Sequence, residues 1–467
     1  MRIYLETLGC RLNYAEMAAL GRQLAGTGHA VAASAEDADL CVLNSCAVTA
    51  GAARKSRQLV RQMARANPAA RLVVTGCLAT LEAQDVAGLP NVELVVGNRR
   101  KDDLLALVDE IAGAAATPSA ELGANNYLRP SHIDPEAASG TSSCGLDAAQ
   151  RRHGHDRSRT RAFVKVQDGC RNCCTFCIVS VARGTERSRS IAAVLAEVNA
   201  LHSEGYQEAV LTGVHLGAFG RDFGTDLRSL VRQLLDGTEI PRLRLSSLEP
   251  FDLEPGFVEL WASSAGRLMP HLHLPAQSGS DAVLRRMARR NRVAEFEALV
   301  ADARACVPGL TLTSDLIVGF PGETEDDFAA TLAFAGRVGF AHIHVFPYSP
   351  RAGTAATRLN GQVPEAERRR RSRVLNALDV ELSRSLRRTF LGHARPALWE
   401  NPIGLEPGSC AVSGLELGAS QAWEGLTDNY LRVLALAPAG LDLRNRITPV
   451  RLVRLDGDVL WGEITAV

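Results

Sequence analysis

The stretch VQDGCRNCCTFCIVSVARG, residues 166–184, sets Cys170, Cys173, Cys174 and Cys177 on one short loop behind an apolar run. Four thiols this close admit a zinc site, a redox pair with neighbours, or a cluster site with one cysteine to spare. Zinc would use the pairs 170/173 and 174/177. Structural zinc sites separate their pairs by a loop so that four sulfurs close a tetrahedron, and here the pairs abut. A thioredoxin-like pair lacks its context. Choosing Cys170, Cys174 and Cys177 gives C-x-x-x-C-x-x-C, three thiolates that leave one iron of a four-iron cluster free for another ligand.

The apolar run before the loop is the first of a series. AFVKVQD, EAVLTGV, RLRLSSL, HLHLPA, LTSDLIVG and HIHVFPYS read as strands, with helical patterns near 190–204, 226–236, 255–264, 294–305 and 323–337 between them. Six strands with crossover helices predict an incomplete β/α barrel over residues 161–389, closed by a helix with apolar spacing at Val374, Leu375, Leu378, Leu382 and Leu386. Barrel chemistry sits on the loops after the strands. Those loops hold the cysteine cluster, then GVHLGAFG, SSLEP, PAQSGS, GFPGETEDDF and PYSPRAGT.

Residues 1–112 alternate differently. RIYLETL, DLCVLNS, RLVVTG and VELVVG read as buried parallel strands with helices such as YAEMAALGRQLA between them, a doubly wound α/β domain. Cys10, Cys46 and Cys77 each follow a strand, in TLGC, NSCAV and TGCLA, and the loops after strand ends gather into one crevice in such a sheet. Cys41, inside a strand pattern, reads as apolar packing. Residues 113–160 lose periodicity and read as a linker or mobile loop, with Cys144 a bystander. Residues 390–467 carry short alternating strands, a small β-barrel. The chain is thus α/β and multidomain.

Composition narrows the class. With 46% hydrophobic and 22% charged residues and a formal net charge of zero, the chain is globular and carries no global basic field. Arginine runs at 151–161, 285–292 and 367–373 are local, and such runs are mostly solvated faces. No apolar run spans a membrane and no signal segment opens the chain, so a cytoplasmic protein is expected, one whose eleven cysteines are not a disulfide framework.

With these pieces assembled, the chain resembles the methylthiotransferases of the radical S-adenosylmethionine superfamily. The resemblance rests on TLGCRLN, NSCAV, TGCLA, DGCRNCCTFC, HLPAQSGSD, DLIVGFPGETEDDF, FPYSPRAGT and GLTDNYLRV. It implies an auxiliary [4Fe–4S] cluster on Cys10, Cys46 and Cys77 and a radical [4Fe–4S] cluster on Cys170, Cys174 and Cys177, both facing one cavity. Cys173 is left over. It also implies a C-terminal TRAM domain that binds RNA, and conversion of C–H to C–SCH3 with two S-adenosylmethionine molecules. One would give the 5′-deoxyadenosyl radical; the other would methylate a sulfur carried by the auxiliary cluster. Expected partners are tRNA, a flavodoxin- or ferredoxin-like electron donor and a sulfur donor, with no membrane.

Branches of that family differ in substrate. TGVHLGAFG and LSSLEP resemble the branch acting on N6-threonylcarbamoyladenosine at tRNA position 37; isopentenyladenosine or an aspartate of a ribosomal protein are the alternatives. A non-catalytic iron–sulfur scaffold is the alternative of a different class. His215, Glu249 and Gln277 are candidates for contacting S-adenosylmethionine or the modified base, and Asn429, Tyr430 and Arg432 for contacting RNA. Asp315 lies within a strand, away from a motif position. Thr324 and the acidic residues after it suit a helix start, and Arg183 and Arg187 are placed to neutralise a cluster or phosphate.

Overall fold

The computed structural model describes residues 1–114, 160–253, 256–404 and 420–466. Two compact units result, Met1–Asp156 with Cys177–Thr185, and Arg157–Phe176 with Glu186–Val467. The expected linker falls, from residue 115 to 159, outside the described residues, and Cys144 with it.

In the first unit the strands β1 (Arg2–Thr7), β2 (Ala30–Val31), β3 (Leu40–Ser45), β4 (Arg71–Gly76) and β5 (Val92–Val96) form one parallel sheet in the order β2-β1-β3-β4-β5. All six residues of β3 are buried, which is why LCVLNS is near-continuously apolar rather than alternating. Helices Arg11–Gly26 and Leu104–Ala114 give Met17, Leu20, Leu24, Leu104 and Val108 to one core layer; Ala50–Ala66 gives Ala53, Val60 and Met63 to another. Strand order reverses between β1 and β3, which makes their carboxyl ends the crevice of the sheet. The two-residue β2 is too short to leave a period in the sequence.

The second unit begins with β6 (Arg161–Lys165), followed by a small antiparallel pair, β7 (Gln167–Asp168) and β8 (Arg187–Ser188). Its other long strands are β9 (Glu208–Thr212), β10 (Arg242–Leu245), β11 (His271–His273), β12 (Thr311–Val318) and β13 (His342–Pro347). They run parallel as β10-β9-β6 and β11-β12-β13, and single bridges Leu243–Leu268 and Ser247–His273 link the two sets. This is the six-stranded open barrel expected. Leu272, Leu312, Leu316 and Ile343 point to the outer helices and fill the core, so the alternate residues of these strands face the lumen.

The same unit ends in a closed five-stranded barrel, β14 (Ala394–Ile403), β15 (Ser420–Thr427), β16 (Arg432–Pro438), β17 (Ile447–Asp456) and β18 (Val459–Ile464), in the order β14-β15-β16-β18-β17. Trp399 and Trp423 fill it. Helix Glu365–Thr389 precedes it. Among the described residues no helix is long and apolar enough to cross a membrane.

Candidate active site

The three N-terminal cysteines stand where the sheet puts them. Cys10 follows β1, Cys46 follows β3 and Cys77 follows β4, each within three residues of its strand's end. Two glycines let the loops close in. Gly9 has φ +112°, and a Cβ there would lie 2.8 Å from Cys46 Cβ; Gly76 has φ +99°, and a Cβ there would lie 2.3 Å from the Ser45 carbonyl oxygen. Cys46 and Cys77 are buried and Cys10 is exposed. Asn98 Nδ2 donates to Cys77 Sγ at 3.7 Å, and Ser56 Oγ accepts from the Cys46 amide at 3.0 Å.

Charge around these thiols is arranged, not incidental. Arg183 donates to Asn13 Oδ1 at 2.7 Å and to Glu16 Oε1 at 3.1 Å, while Lys101 Nζ donates to Glu16 Oε2 at 2.7 Å and to Asn44 Oδ1 at 3.0 Å. All three charged side chains are nearly fully buried. Two cations thus share one carboxylate, and Arg183 acts electrostatically on Cys46. Burial pushes the Cys46 thiol up to about 11, with Cys77 and Cys10 adding in that direction and Arg183 opposing. Three thiols within electrostatic reach of one another, with the buried Arg183 acting on Cys46, fit a thiolate-held cluster.

In the second unit the loop after β7 carries Cys170, Cys173 and Cys174. The Asn172 amide donates to Cys170 Sγ at 3.4 Å, and His215 Nδ1 lies 3.8 Å from the same sulfur. The other ring nitrogen of His215 is held by Asp252, which also takes Arg221 at 2.7 Å. Burial alone would lower the His215 pKa, but the hydrogen bonds to Asp252 and Cys170 hold it up at about 9. Cys174 has its own cation: Arg289 Nη1 lies 3.9 Å from its sulfur and forks onto Glu249, with one contact at 3.0 Å. Burial pushes the Cys174 thiol up and Arg289 opposes. Cys173 is exposed and turns to the Arg171 carbonyl at 3.7 Å. Cys177 belongs to the first unit, where its Sγ accepts from the Val179 amide at 3.4 Å.

Two family models match the sequence, "Uncharacterized protein family UPF0004" over residues 2–97 and "Radical SAM superfamily" over residues 164–335. Among curated relatives, a threonylcarbamoyladenosine tRNA methylthiotransferase of Thermotoga maritima is 34% identical over 85% of this chain and 86% of its own. That of Bacillus subtilis is 32% identical over 96% and 93%. The chain belongs to the radical S-adenosylmethionine methylthiotransferase family. A member named tRNA-2-methylthio-N(6)-dimethylallyladenosine synthase, from Anaeromyxobacter dehalogenans, is 34% identical over 99% of this chain and 94% of its own. A solved radical S-adenosylmethionine methyltransferase from Kitasatospora setae shares the fold at TM-score 0.54 and 15% identity, covering 75% of this chain and 74% of that one.

Within this methylthiotransferase, the sequence candidates fall into distinct settings. His215 and Glu249 stand beside Cys170 and Cys174 and reach them directly or through Arg289. Gln277 sits after β11 at φ +69°, its amide donating to the Asp315 carbonyl at 2.8 Å, a strained backbone at a strand end. Thr324 caps helix Glu325–Val338, as its motif suggested. Arg187 is half-exposed and 3.8 Å from Asp168.

The C-terminal candidates already have partners within the chain. Asn429 is fully buried and donates to the Gly309 carbonyl at 3.1 Å. Tyr430 stacks on His271 with ring centroids 4.6 Å apart, under the guanidinium of Arg244 at 4.8 Å. These two join the small barrel to the radical domain, and their faces are already used within the chain. Arg432 is exposed and paired with Glu424 at 2.8 Å. Two of the arginine runs each send a residue inward: Arg289 serves Glu249, and Arg371 pairs with Glu323 at 2.6 Å. Asp252, Arg289, Glu16 and Lys101 went unread in the sequence, the first behind a proline-rich loop, Arg289 inside a run that looked like surface charge.

Proposed function

We propose that this enzyme methylthiolates C2 of the adenine of N6-threonylcarbamoyladenosine at tRNA position 37, with two [4Fe–4S] clusters and two S-adenosylmethionine molecules. The observation that carries the reading is the pair of cysteine sets, each with its own buried cation: Cys10, Cys46 and Cys77 near Arg183, and Cys170 and Cys174 against His215 and Arg289. Cys177 completes the second set by its spacing. When bound, the clusters and S-adenosylmethionine supply the one-electron chemistry, the sulfur and the methyl group.

The residues of the chain place and tune. Asp252 orients His215, whose other ring nitrogen faces Cys170. Glu249 anchors Arg289 against Cys174. Arg183 offsets negative charge at Cys46. His215, Glu249 and Gln277 are assigned to contacts with S-adenosylmethionine or the target base, and residues 1–112, 161–389 and 390–467 to auxiliary-cluster, radical and RNA-binding domains. Of the RNA candidates Arg432 retains that role. The protein acts in the cytoplasm with an electron donor and a sulfur donor.

Relatives named for the threonylcarbamoyl and the dimethylallyl substrates are equally identical to this chain, so the dimethylallyl nucleoside is the second reading. The reading is tested by reducing the two-cluster protein with S-adenosylmethionine and measuring 5′-deoxyadenosine. Robust release is expected; none would leave a scaffold.

A further inference from the structure

The lumen of the open barrel carries polar groups that the cluster sites do not use. His273 on β11, Asp315 on β12 and His344 on β13 bring one ring nitrogen or carboxylate oxygen each to within 4.8 Å of one another. His273 Nε2 stands 3.4 Å from Asp315 Oδ1. Its Nδ1 lies 2.9 Å from Thr313 Oγ1, and the same hydroxyl is 3.0 Å from His271 Nε2. The geometry accommodates a hydroxyl that donates to His273 and accepts from His271. His273 then offers an Nε2–H toward Asp315.

The site is open on one side. Along β13 the lumen-facing His344 and Phe346 are exposed, Phe346 at 44%, while Ile343 on the other face is buried. Asp315 is the one residue of β12 that is not buried. At the far end the lumen is stopped by Tyr430 stacked on His271. A ligand entering past β13 meets an aromatic face, two imidazoles and a carboxylate.

That set has a chemical counterpart. Phe346 suits stacking of a base, the imidazoles suit carboxylate or hydroxyl oxygens, and Asp315 suits an N–H or O–H donor. A purine whose N6 substituent bears a ureido N–H, a hydroxyl and a carboxylate uses all of them; a dimethylallyl group uses none of them. We propose that His273, Asp315 and His344, with Phe346, form the pocket that recognises the polar N6 substituent of the target adenosine and so select the substrate branch. This rests on the functional reading above.

The test is binding of anticodon stem-loops carrying threonylcarbamoyladenosine, dimethylallyladenosine or plain adenosine at position 37, measured by fluorescence anisotropy on the two-cluster protein. Wild type is expected to prefer the threonylcarbamoyl stem-loop by about tenfold to a hundredfold, and His344→Gln and Asp315→Asn to bring that preference to within about threefold. His344 is exposed, so its variant tests recognition without risk to the core. Preference unchanged in both variants, or affinity lost equally for all three RNAs, overturns the pocket. So does stoichiometric zinc bound by wild type and lost in His344→Gln, which would make the cluster a metal site. A wild type that shows no preference overturns the substrate reading itself, and that failure is seen before any variant is made.

Discussion

Glu208→Gln isolates one charge on which the second unit depends. Glu208 is fully buried on β9 and forks onto Arg244 at 2.7 and 3.2 Å, with Arg242 3.7 Å away. Arg244 also donates to the Asp428 carbonyl at 3.0 Å, and Arg242 to those of Pro396 at 2.8 Å and Leu426 at 3.2 Å, so these arginines tie the small barrel to the radical domain. Glutamine keeps the shape and removes the anion, leaving two almost wholly buried guanidinium groups facing an amide. Breaking a buried pair from one side costs about 3–5 kcal/mol. For a unit of this size that is a drop on the order of 10 °C in the thermal midpoint, read by circular dichroism. Burial alone would raise the Glu208 pKa, but Arg244, Arg161 and Arg242 hold it down at about 2. A depressed carboxylate stabilises fully above its ordinary pKa near 4.5 and loses that contribution as pH falls toward 2. The gap between wild type and variant should therefore be constant from pH 8 to about 5 and close below that range. A midpoint within about 2 °C of wild type at pH 7 would refute the reasoning.

Other outcomes follow from the same geometry. Cys173→Ala should keep both clusters and S-adenosylmethionine cleavage, and Cys174→Ala should abolish cleavage; the opposite pattern in iron content and 5′-deoxyadenosine yield would mean the wrong neighbour was chosen. Gly76→Ala forces a Cβ to 2.3 Å from the Ser45 carbonyl oxygen at φ +99°, so the purified protein should lose auxiliary-cluster iron while keeping the radical-cluster signal in electron paramagnetic resonance. Full iron in that variant would show that the β3 and β4 loops tolerate spreading. Tyr430→Leu removes the stack on His271 and the contact with Arg244, so the thermal midpoint should fall by several degrees with tRNA affinity within about twofold. A collapse of affinity at unchanged stability would restore Tyr430 to the RNA surface.

The barrel strands and the strand-end cysteines were legible because each depends on local pattern. A run such as LTSDLIVG, bounded by turn residues, shows its strand directly, and TLGC, NSCAV and TGCLA repeat one placement at successive strand ends. What stayed hidden depends on pairing across long separations. Nothing near Arg289 marks it as Glu249's partner, and Lys101 sits among charges that look like surface until the fold buries it against Glu16. Asn429 and Tyr430 were placed correctly in their motif, and the partners they have within the chain were not legible there. A polar tripeptide at a turn looks the same whether it faces RNA or the neighbouring barrel. β15 had no period to read, its flanking residues lying in a glycine-rich stretch. Asp315 was set aside because it lies in mid-strand, and only the register of β11, β12 and β13 brings it to His273 and His344.

The central claim is the reaction on one tRNA nucleoside, and it is tested most directly by expressing this chain in cells that lack their own tRNA methylthiolation and analysing digested tRNA by mass spectrometry. 2-Methylthio-N6-threonylcarbamoyladenosine is expected, and it should be absent when Cys174 or Cys46 is replaced by alanine. A methylthio group on the isopentenyl nucleoside alone, or on neither, would contradict it.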